Sequence, residues 1–61
     1  MATRSEAVVE VDYDDELTET TGAVLFSING NGIWIPKSQI IDQDGGTITI
    51  PEWLAMEEGL I

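Results

Sequence analysis

Two apolar segments flank a turn signal in residues 23–36, which read Ala23-Val-Leu-Phe-Ser-Ile-Asn-Gly-Asn-Gly-Ile-Trp-Ile-Pro36. This pattern gives the clearest indication of the fold. Asn-Gly pairs tolerate positive φ and are the strongest short-range indication of a β-hairpin. Val24, Phe26 and Ile28 alternate along one side of the first segment, which is typical of a half-buried strand. Pro36 cannot donate a backbone hydrogen bond and therefore ends the second strand.

Trp34 lies in the second strand of this hairpin and alternates with Ile33 and Ile35. Two placements satisfy the alternation: Trp34 is buried on a second face under the C-terminal helix, or it is an exposed anchor for a partner. We expect burial, although Trp is the commonest hot-spot residue at protein interfaces. Phe26 and Trp53 are expected to belong to the core.

Two further strands are predicted outside the hairpin. In 7–13, Val9 and Val11 alternate with Glu10 and Asp12, and period-two alternation with β-branched residues indicates a half-buried strand. In 47–50, two Ile residues face the core and two Thr residues face outward. The residues that connect these segments to the hairpin, 14–22 and 42–46, are predicted to form a polar loop and a turn.

The C-terminus is predicted to be a short helix that lies on the sheet. Pro51 is expected at the first helical position, and Gly59 is expected in the position just after the helix. The apolar side chains recur at spacings of three and four, with Trp53 as the main anchor; they are Trp53, Leu54, Met56 and Leu60.

Together these elements predict an α+β, mainly β fold. We expect a small antiparallel sheet or an SH3-like partial barrel of three to four strands with one short C-terminal helix. Residues 7–61 are predicted to form a single domain, and residues 1–6 a disordered N-terminus. Because a chain of 61 residues buries only about 60% of its unfolded surface, self-association as a homodimer is also expected.

Charge and composition exclude several classes of function. The chain has 12 acidic and 2 basic residues, which give a formal net charge of −10, and it contains neither Cys nor His. The missing residue types exclude disulfides, Cys/His zinc sites and catalysis by a thiol or an imidazole. Two basic residues cannot neutralise a phosphate backbone, and the acidic surface repels both nucleic acid and anionic membranes.

No motif indicates a metal site, a cofactor or an enzyme. An EF-hand needs Gly at its sixth position and Glu at its twelfth. Counting from Asp12 or from Asp42, those positions hold other residues: Leu17 and Ala23, or Thr47 and Trp53. The two glycine-containing loops have no accompanying phosphate-binding Lys and long helix, so we interpret them as hairpin turns. We therefore expect no enzymatic activity, no cofactor and no bound metal.

The acidic residues themselves are the candidate binding site. They either keep a small apolar domain soluble or present a negative surface to a basic protein. Glu10 and Asp12 share one strand face and lie about 6.6 Å apart at ~3.3 Å per residue. This distance is roughly the separation of phosphates along one DNA strand. The candidate partner-binding acids are Glu10, Asp12, Asp14, Asp15, Glu16 and Glu19.

The C-terminal half resembles small proteins encoded in phage and prophage genomes. The resemblance rests on the segments 33–40, 50–55 and 58–61, which read IWIPKSQI, IPEWLA and EGLI. Small, acidic, cysteine-free phage proteins are often inhibitors of host defence, such as anti-CRISPR or anti-restriction proteins, and the resemblance implies that class by analogy. Packing does not explain Lys37, Ser38 and Gln39, so these residues are the candidate functional patch of the motif.

Two functional hypotheses follow. The first is a non-enzymatic, DNA-mimicking inhibitor that binds a basic surface of a host nucleic-acid-handling enzyme through its acids. The alternative is an oligomerising accessory module of phage DNA metabolism that uses an exposed strand edge or Trp34. The segment from Met1 to Val11 has one Arg and no apolar core, so we expect no signal peptide and a location in the host cytoplasm.

Overall fold

A computed structural model describes residues 7–61, and these contain six β-strands, one 3₁₀ turn and one α-helix. The α+β, mainly β class is confirmed, but six strands replace the three to four that the sequence predicted. In chain order the elements are β1 (Val8–Asp12), β2 (Asp15–Glu19), β3 (Ala23–Ile28), β4 (Asn31–Pro36), the 3₁₀ turn (Lys37–Gln39), β5 (Asp42–Asp44), β6 (Thr47–Pro51) and α1 (Glu52–Glu57).

The strands form two antiparallel sheets of three strands each. The acidic sheet has the order β1-β6-β5, and the hairpin sheet has the order β2-β3-β4. Two strands were missed, because 14–22 contains β2 where a loop was predicted and 42–46 contains β5 where a turn was predicted. Both are edge strands whose residues are all exposed. Backbone pairing and exposed polar contacts hold them, so they lack the apolar alternation that marks a half-buried strand.

The inner faces of the two sheets pack together as one core. Phe26 and Ile35 of the hairpin sheet and Ile48 and Ile50 of the acidic sheet are each 0% exposed. The Tyr13 ring leans against the Phe26 ring with centroids 4.7 Å apart. The predicted inward faces of β3 and β6 are therefore confirmed.

The Asn-Gly turn forms the hairpin between β3 and β4. Ile28 pairs with Asn31, which leaves Asn29 and Gly30 as a two-residue loop. Their φ angles are 53° and 81°, and positive φ at both loop residues is the requirement of a type I′ turn. The residues of the turn therefore set the register between β3 and β4, the two strands that flank it.

Helix α1 packs against β1 and β6 through residues other than the predicted anchor. Leu54 and Ala55 are 4% and 0% exposed, whereas Trp53 and Met56 are 38% and 62% exposed. Pro51 precedes the helix as its N-cap residue instead of occupying the first helical position. Small Ala55 lets the helix approach the sheet closely, and this orientation turns Trp53 to the rim of the contact.

Gly59 ends the helix as predicted, with φ at 75°. The Leu60 N–H donates to the Ala55 carbonyl at 2.8 Å, and the Gly59 N–H donates to the Met56 carbonyl at 3.1 Å. This pair of bonds is the Schellman motif. It returns Leu60 to the edge of the core.

The Gly59→Ala variant tests this helix end. A Cβ at Gly59 would meet no atom within 4 Å, so the whole cost comes from the left-handed backbone. We expect the free energy of unfolding to fall by about 1 kcal/mol and the melting temperature to fall by about 4–8 °C. Thermal unfolding followed by circular dichroism measures both. An unchanged melting temperature would show that the helix end frays in the native protein.

Candidate functional site

The central strand of the acidic sheet positions the candidate site. Ile48 and Ile50 point into the core, so Thr47 and Thr49 point to the outer face of the sheet. The threonines form a polar ridge along the middle of that face. Neighbouring strands on both sides decide which side chains flank the ridge.

The strand register places a carboxylate on each side of both threonines. Thr49 pairs with Glu10 on β1 and with Asp42 on β5. Thr47 pairs with Asp12 on β1 and with Asp44 on β5. Directly opposed residues in a sheet share a face. We call this surface the carboxylate face; its residues are Glu10, Asp12, Asp42, Asp44, Thr47 and Thr49.

Sheet geometry gives the carboxylate face a regular spacing. Strands lie about 4.8 Å apart, so β1 and β5 are separated by roughly 9.6 Å across β6. The two acids on each strand are two residues apart, which is about 6.7 Å. At the backbone level the four acids therefore mark the corners of a rectangle.

The carboxylate face is open to solvent and rich in hydrogen-bond acceptors. A shallow groove of about 170 Å³ is lined by Glu10, Asp42, Asp44, Thr47 and Thr49. The Thr47 hydroxyl donates to Asp12 Oδ1 at 2.9 Å. No group of three or more acidic residues within 7–61 is arranged to hold a metal ion.

No cation within the described part of the chain neutralises the carboxylate face. Lys37 is the one basic residue in 7–61, and its Nζ lies 3.3 Å from Glu19 Oε1. Glu19 belongs to β2 of the hairpin sheet. The face therefore presents four negative charges, and the matching groups on a partner would be guanidinium or ammonium groups.

The structure divides the six acids that the sequence nominated. Glu10 and Asp12 lie on the carboxylate face, whereas the other four lie in or beside the hairpin sheet. There, Asp15 pairs with Ser27 at the sheet edge and Glu16 Oε1 accepts a hydrogen bond from Gln43 Nε2 at 3.1 Å. Asp14 precedes β2, and Glu19 pairs with Lys37.

Sequence reasoning missed Asp42 and Asp44. The signal was a short Asp-x-Asp repeat followed by Gly45-Gly46 and the alternating 47–50 segment. Gly45 and Gly46 have φ angles of 50° and 97°, as a tight two-residue hairpin requires. The pair was interpreted as a hairpin turn, but no strand was assigned to the residues before it. Extending the hairpin back through 42–44 would have predicted β5, with its two acids opposite the threonines.

Trp34 lies on the hairpin sheet, and the Lys37–Gln39 patch is the 3₁₀ turn that follows β4; neither belongs to the carboxylate face. Trp34 is 46% exposed, so the expected burial is wrong. Its cross-strand neighbour on the outer face is Leu25. Helix α1 packs on β1 and β6 instead, and no described element covers the outer face of the hairpin sheet. Lys37 and Ser38 are exposed, and Gln39 is half-buried.

Comparisons with known proteins found no relative of this chain. No protein-family model matches the chain, and no curated protein and no solved structure matches it. Within 7–61, none of the helical segments has the length and apolar character that crossing a bilayer requires.

Proposed function

We propose that this chain is a non-enzymatic inhibitor that binds a basic surface of a host nucleic-acid-handling defence protein. The carboxylate face would occupy the surface that normally receives DNA phosphates. The observation that carries the proposal is that Thr47 and Thr49 each pair with one acid of β1 and one acid of β5, which places four carboxylates around the threonine ridge. The resemblance of the C-terminal motif to phage-encoded proteins supports the same class and a location in the host cytoplasm.

The spacing of the carboxylate face supports DNA mimicry. The acids repeat at about 6.7 Å along each strand. Successive phosphates on one DNA strand advance about 3.4 Å along the helix axis, and the lateral turn of the backbone brings their direct separation to a similar value. A basic groove that places Arg and Lys side chains at phosphate spacing would therefore meet carboxylates in comparable positions.

Exposed charges set the expected character of this binding. A single solvent-exposed ion pair contributes only about 0.2–1 kcal/mol. Four carboxylates held on a rigid sheet act together, and they also raise the association rate by electrostatic steering. We therefore expect fast capture of the partner and binding that weakens steeply as salt rises.

Neutralising the carboxylate face tests the proposal. We expect the variant Glu10→Gln, Asp12→Asn, Asp42→Asn, Asp44→Asn to lose inhibition at least about tenfold, because four weak ion pairs disappear together. The measurement is inhibition of DNA cleavage by a panel of purified CRISPR-effector and restriction nucleases. Assays at about 50 and 500 mM salt, where the screening length falls from ~14 to ~4 Å, report the electrostatic contribution.

The hairpin-sheet acids supply a matched control. The variant Asp14→Asn, Asp15→Asn, Glu16→Gln, Glu19→Gln removes the same number of charges, all of them from residues outside the carboxylate face. We expect it to keep most of the inhibition of the native chain. Equal losses in the two variants would mean that net charge, rather than the arrangement on β1 and β5, drives binding. A native chain that inhibits no nuclease of the panel would contradict the proposal.

A second candidate function is an oligomerising accessory module of phage DNA metabolism. The exposure of Trp34 on the uncovered outer face of the hairpin sheet favours it. Exposed Trp side chains on a small domain commonly anchor protein contacts. This candidate requires neither an enzyme site nor the carboxylate face.

A further inference from the structure

Strand β4 differs from the other edge strands of the molecule in charge. The remaining edges, β1, β5 and β2, each carry at least two acidic residues. β4 carries none, and its sequence is Asn-Gly-Ile-Trp-Ile-Pro. Native proteins commonly protect an exposed edge with charged residues that prevent pairing with another strand. β4 lacks that protection although the chain as a whole has a net charge of −10.

Among residues 7–61, β4 has no strand partner on its outer edge, and two of its positions offer both an N–H and a C=O group there. The Lys37 N–H donates to the Gly22 carbonyl at 2.9 Å, and bonded and non-bonded positions alternate along an antiparallel pair. The backbone N–H and C=O groups of Ile33 and Ile35 therefore form hydrogen bonds with β3. By the same alternation, Gly32 and Trp34 direct their N–H and C=O groups away from β3, toward the open edge.

The side chains at these two positions are complementary in size. Both lie on the outer face of the hairpin sheet, because Gly32 pairs with Ser27 and Trp34 pairs with Leu25. Gly32 has no side chain, and only the flexible end of Leu25 comes within 3.4 Å of where its Cβ would be. An indole ring can therefore lie over Gly32, as large aromatic side chains do beside glycines in sheets.

We propose that two copies of this chain pair antiparallel through β4, with the two-fold axis at Ile33. In this register Gly32 of each copy faces Trp34 of the other, and the two positions exchange backbone hydrogen bonds. Each indole then covers the glycine opposite it. The two hairpin sheets join into one sheet of six strands. The inference rests on the second candidate function and does not depend on the inhibitor proposal.

Backbone hydrogen bonding selects this register. With the axis at Ile33, every outward N–H and C=O of Gly32 and Trp34 has a partner. With the axis one residue later, Gly32 would face Pro36, which has no N–H to donate. With the axis one residue earlier, Trp34 would face Gly30, which lies in the turn with φ at 81°.

Charge also favours a second copy at this edge over the other edges. Pairing through β1, β5 or β2 would bring the acids of the two copies into contact, and like charges across a strand pair are destabilising. Pairing through β4 keeps the acids of both copies apart. The remaining repulsion acts at longer range and is screened by salt. Self-association therefore becomes tighter as salt rises, whereas binding of the carboxylate face to a basic protein becomes weaker.

Sedimentation of the purified chain tests the proposal. A contact between two edge strands buries little surface, and small interfaces bind weakly. Samples should therefore cover about 10 µM to 1 mM at about 50 and 500 mM NaCl. We expect a monomer–dimer equilibrium that shifts toward dimer with concentration and with salt. The amides of Gly32 and Trp34 should become protected from hydrogen exchange in the concentrated sample, in parallel with the dimer fraction.

Two tryptophan variants separate an interface role from a structural one. Trp34→Lys places a charge at the centre of the contact and should weaken self-association at least about tenfold. Trp53→Lys makes the same chemical change on α1, where Trp53 is 38% exposed, and should dimerise like the native chain. Circular dichroism confirms that each variant is folded. Protection of the Gly32 amide from hydrogen exchange in the native chain reports pairing through β4 without any substitution.

Three results would overturn the dimer. They are a native chain that stays monomeric at the highest concentration and salt, Gly32 and Trp34 amides that exchange freely there, and equal weakening by the two tryptophan variants. None of these results bears on nuclease inhibition, which the carboxylate-face variant tests separately. Conversely, a carboxylate-face variant that dimerises normally but no longer inhibits would leave the dimer intact.

Discussion

Replacing Phe26 by Ala is expected to leave the domain largely unfolded at 25 °C. Phe26 is 0% exposed on the central strand of the hairpin sheet, and the centroid of its ring lies 4.7 Å from that of Tyr13. Truncating a buried Phe to Ala costs about 3–5 kcal/mol. A single core in a chain of this size rarely supplies more than about 3–5 kcal/mol. Loss of the near-ultraviolet circular dichroism signal would report the unfolding.

Leu25→Ala is the matched control for Phe26→Ala. Leu25 is the preceding residue of the same strand, but it lies half-buried on the outer face. Its truncation removes apolar area without opening a cavity in the core, so we expect a cost of about 1 kcal/mol and a folded protein. If Phe26→Ala unfolds cooperatively with a native-like midpoint in urea, the two sheets do not share one tightly packed core.

Replacing Leu54 by Ala is expected to detach helix α1 and to cost about 2–5 kcal/mol. Leu54 is 4% exposed and belongs to the core cluster with Ala55. The helix Glu52–Glu57 has six residues, and an isolated helix of that length is not stable in water. Without the buried Leu54 side chain, we therefore expect α1 to lose its helical structure. Urea denaturation measures the cost, and hydrogen exchange at Leu60, whose N–H bonds to Ala55, reports the detachment.

Trp53→Ala supplies the comparison for Leu54→Ala. The side chain of Trp53 remains 38% exposed, so we expect its truncation to cost clearly less than that of Leu54. This order reverses what side-chain size alone indicates in the sequence. A larger loss of stability in Trp53→Ala than in Leu54→Ala would mean that the indole, rather than Leu54 and Ala55, holds the helix on the sheet.

Local chemistry explains the parts of the fold that the sequence predicted. The Asn29-Gly30 turn depends on residues that accept positive φ, and Gly59 ends the helix for the same reason. The inward faces of β3 and β6 follow from a period of two in the apolar residues. Both kinds of signal are contained within a few neighbouring residues, so they are readable without knowledge of the remaining chain.

The burial of the two tryptophans could not be predicted from neighbouring residues in the sequence. Trp34 and Trp53 were expected to be covered, and both are substantially exposed. Whether a face is covered depends on which element packs over it, and α1 packs on β1 and β6 rather than on the hairpin sheet. The strands β2 and β5 were missed for a related reason, because an edge strand needs only a backbone partner.

Part of the carboxylate face could be predicted from strand alternation, and part of it depends on tertiary pairing. Alternation along the chain was enough to predict that Glu10 and Asp12 share one outward strand face and that Thr47 and Thr49 share another, because successive side chains of a strand point to opposite faces. Only the tertiary structure brought Asp42 and Asp44 to the far side of the threonines. β6 pairs with β5 through a short turn and with β1 from the other end of the chain. Those registers are set by the packing of Val11 and Ile48 in a shared core, since a slip of one residue would turn both apolar faces outward.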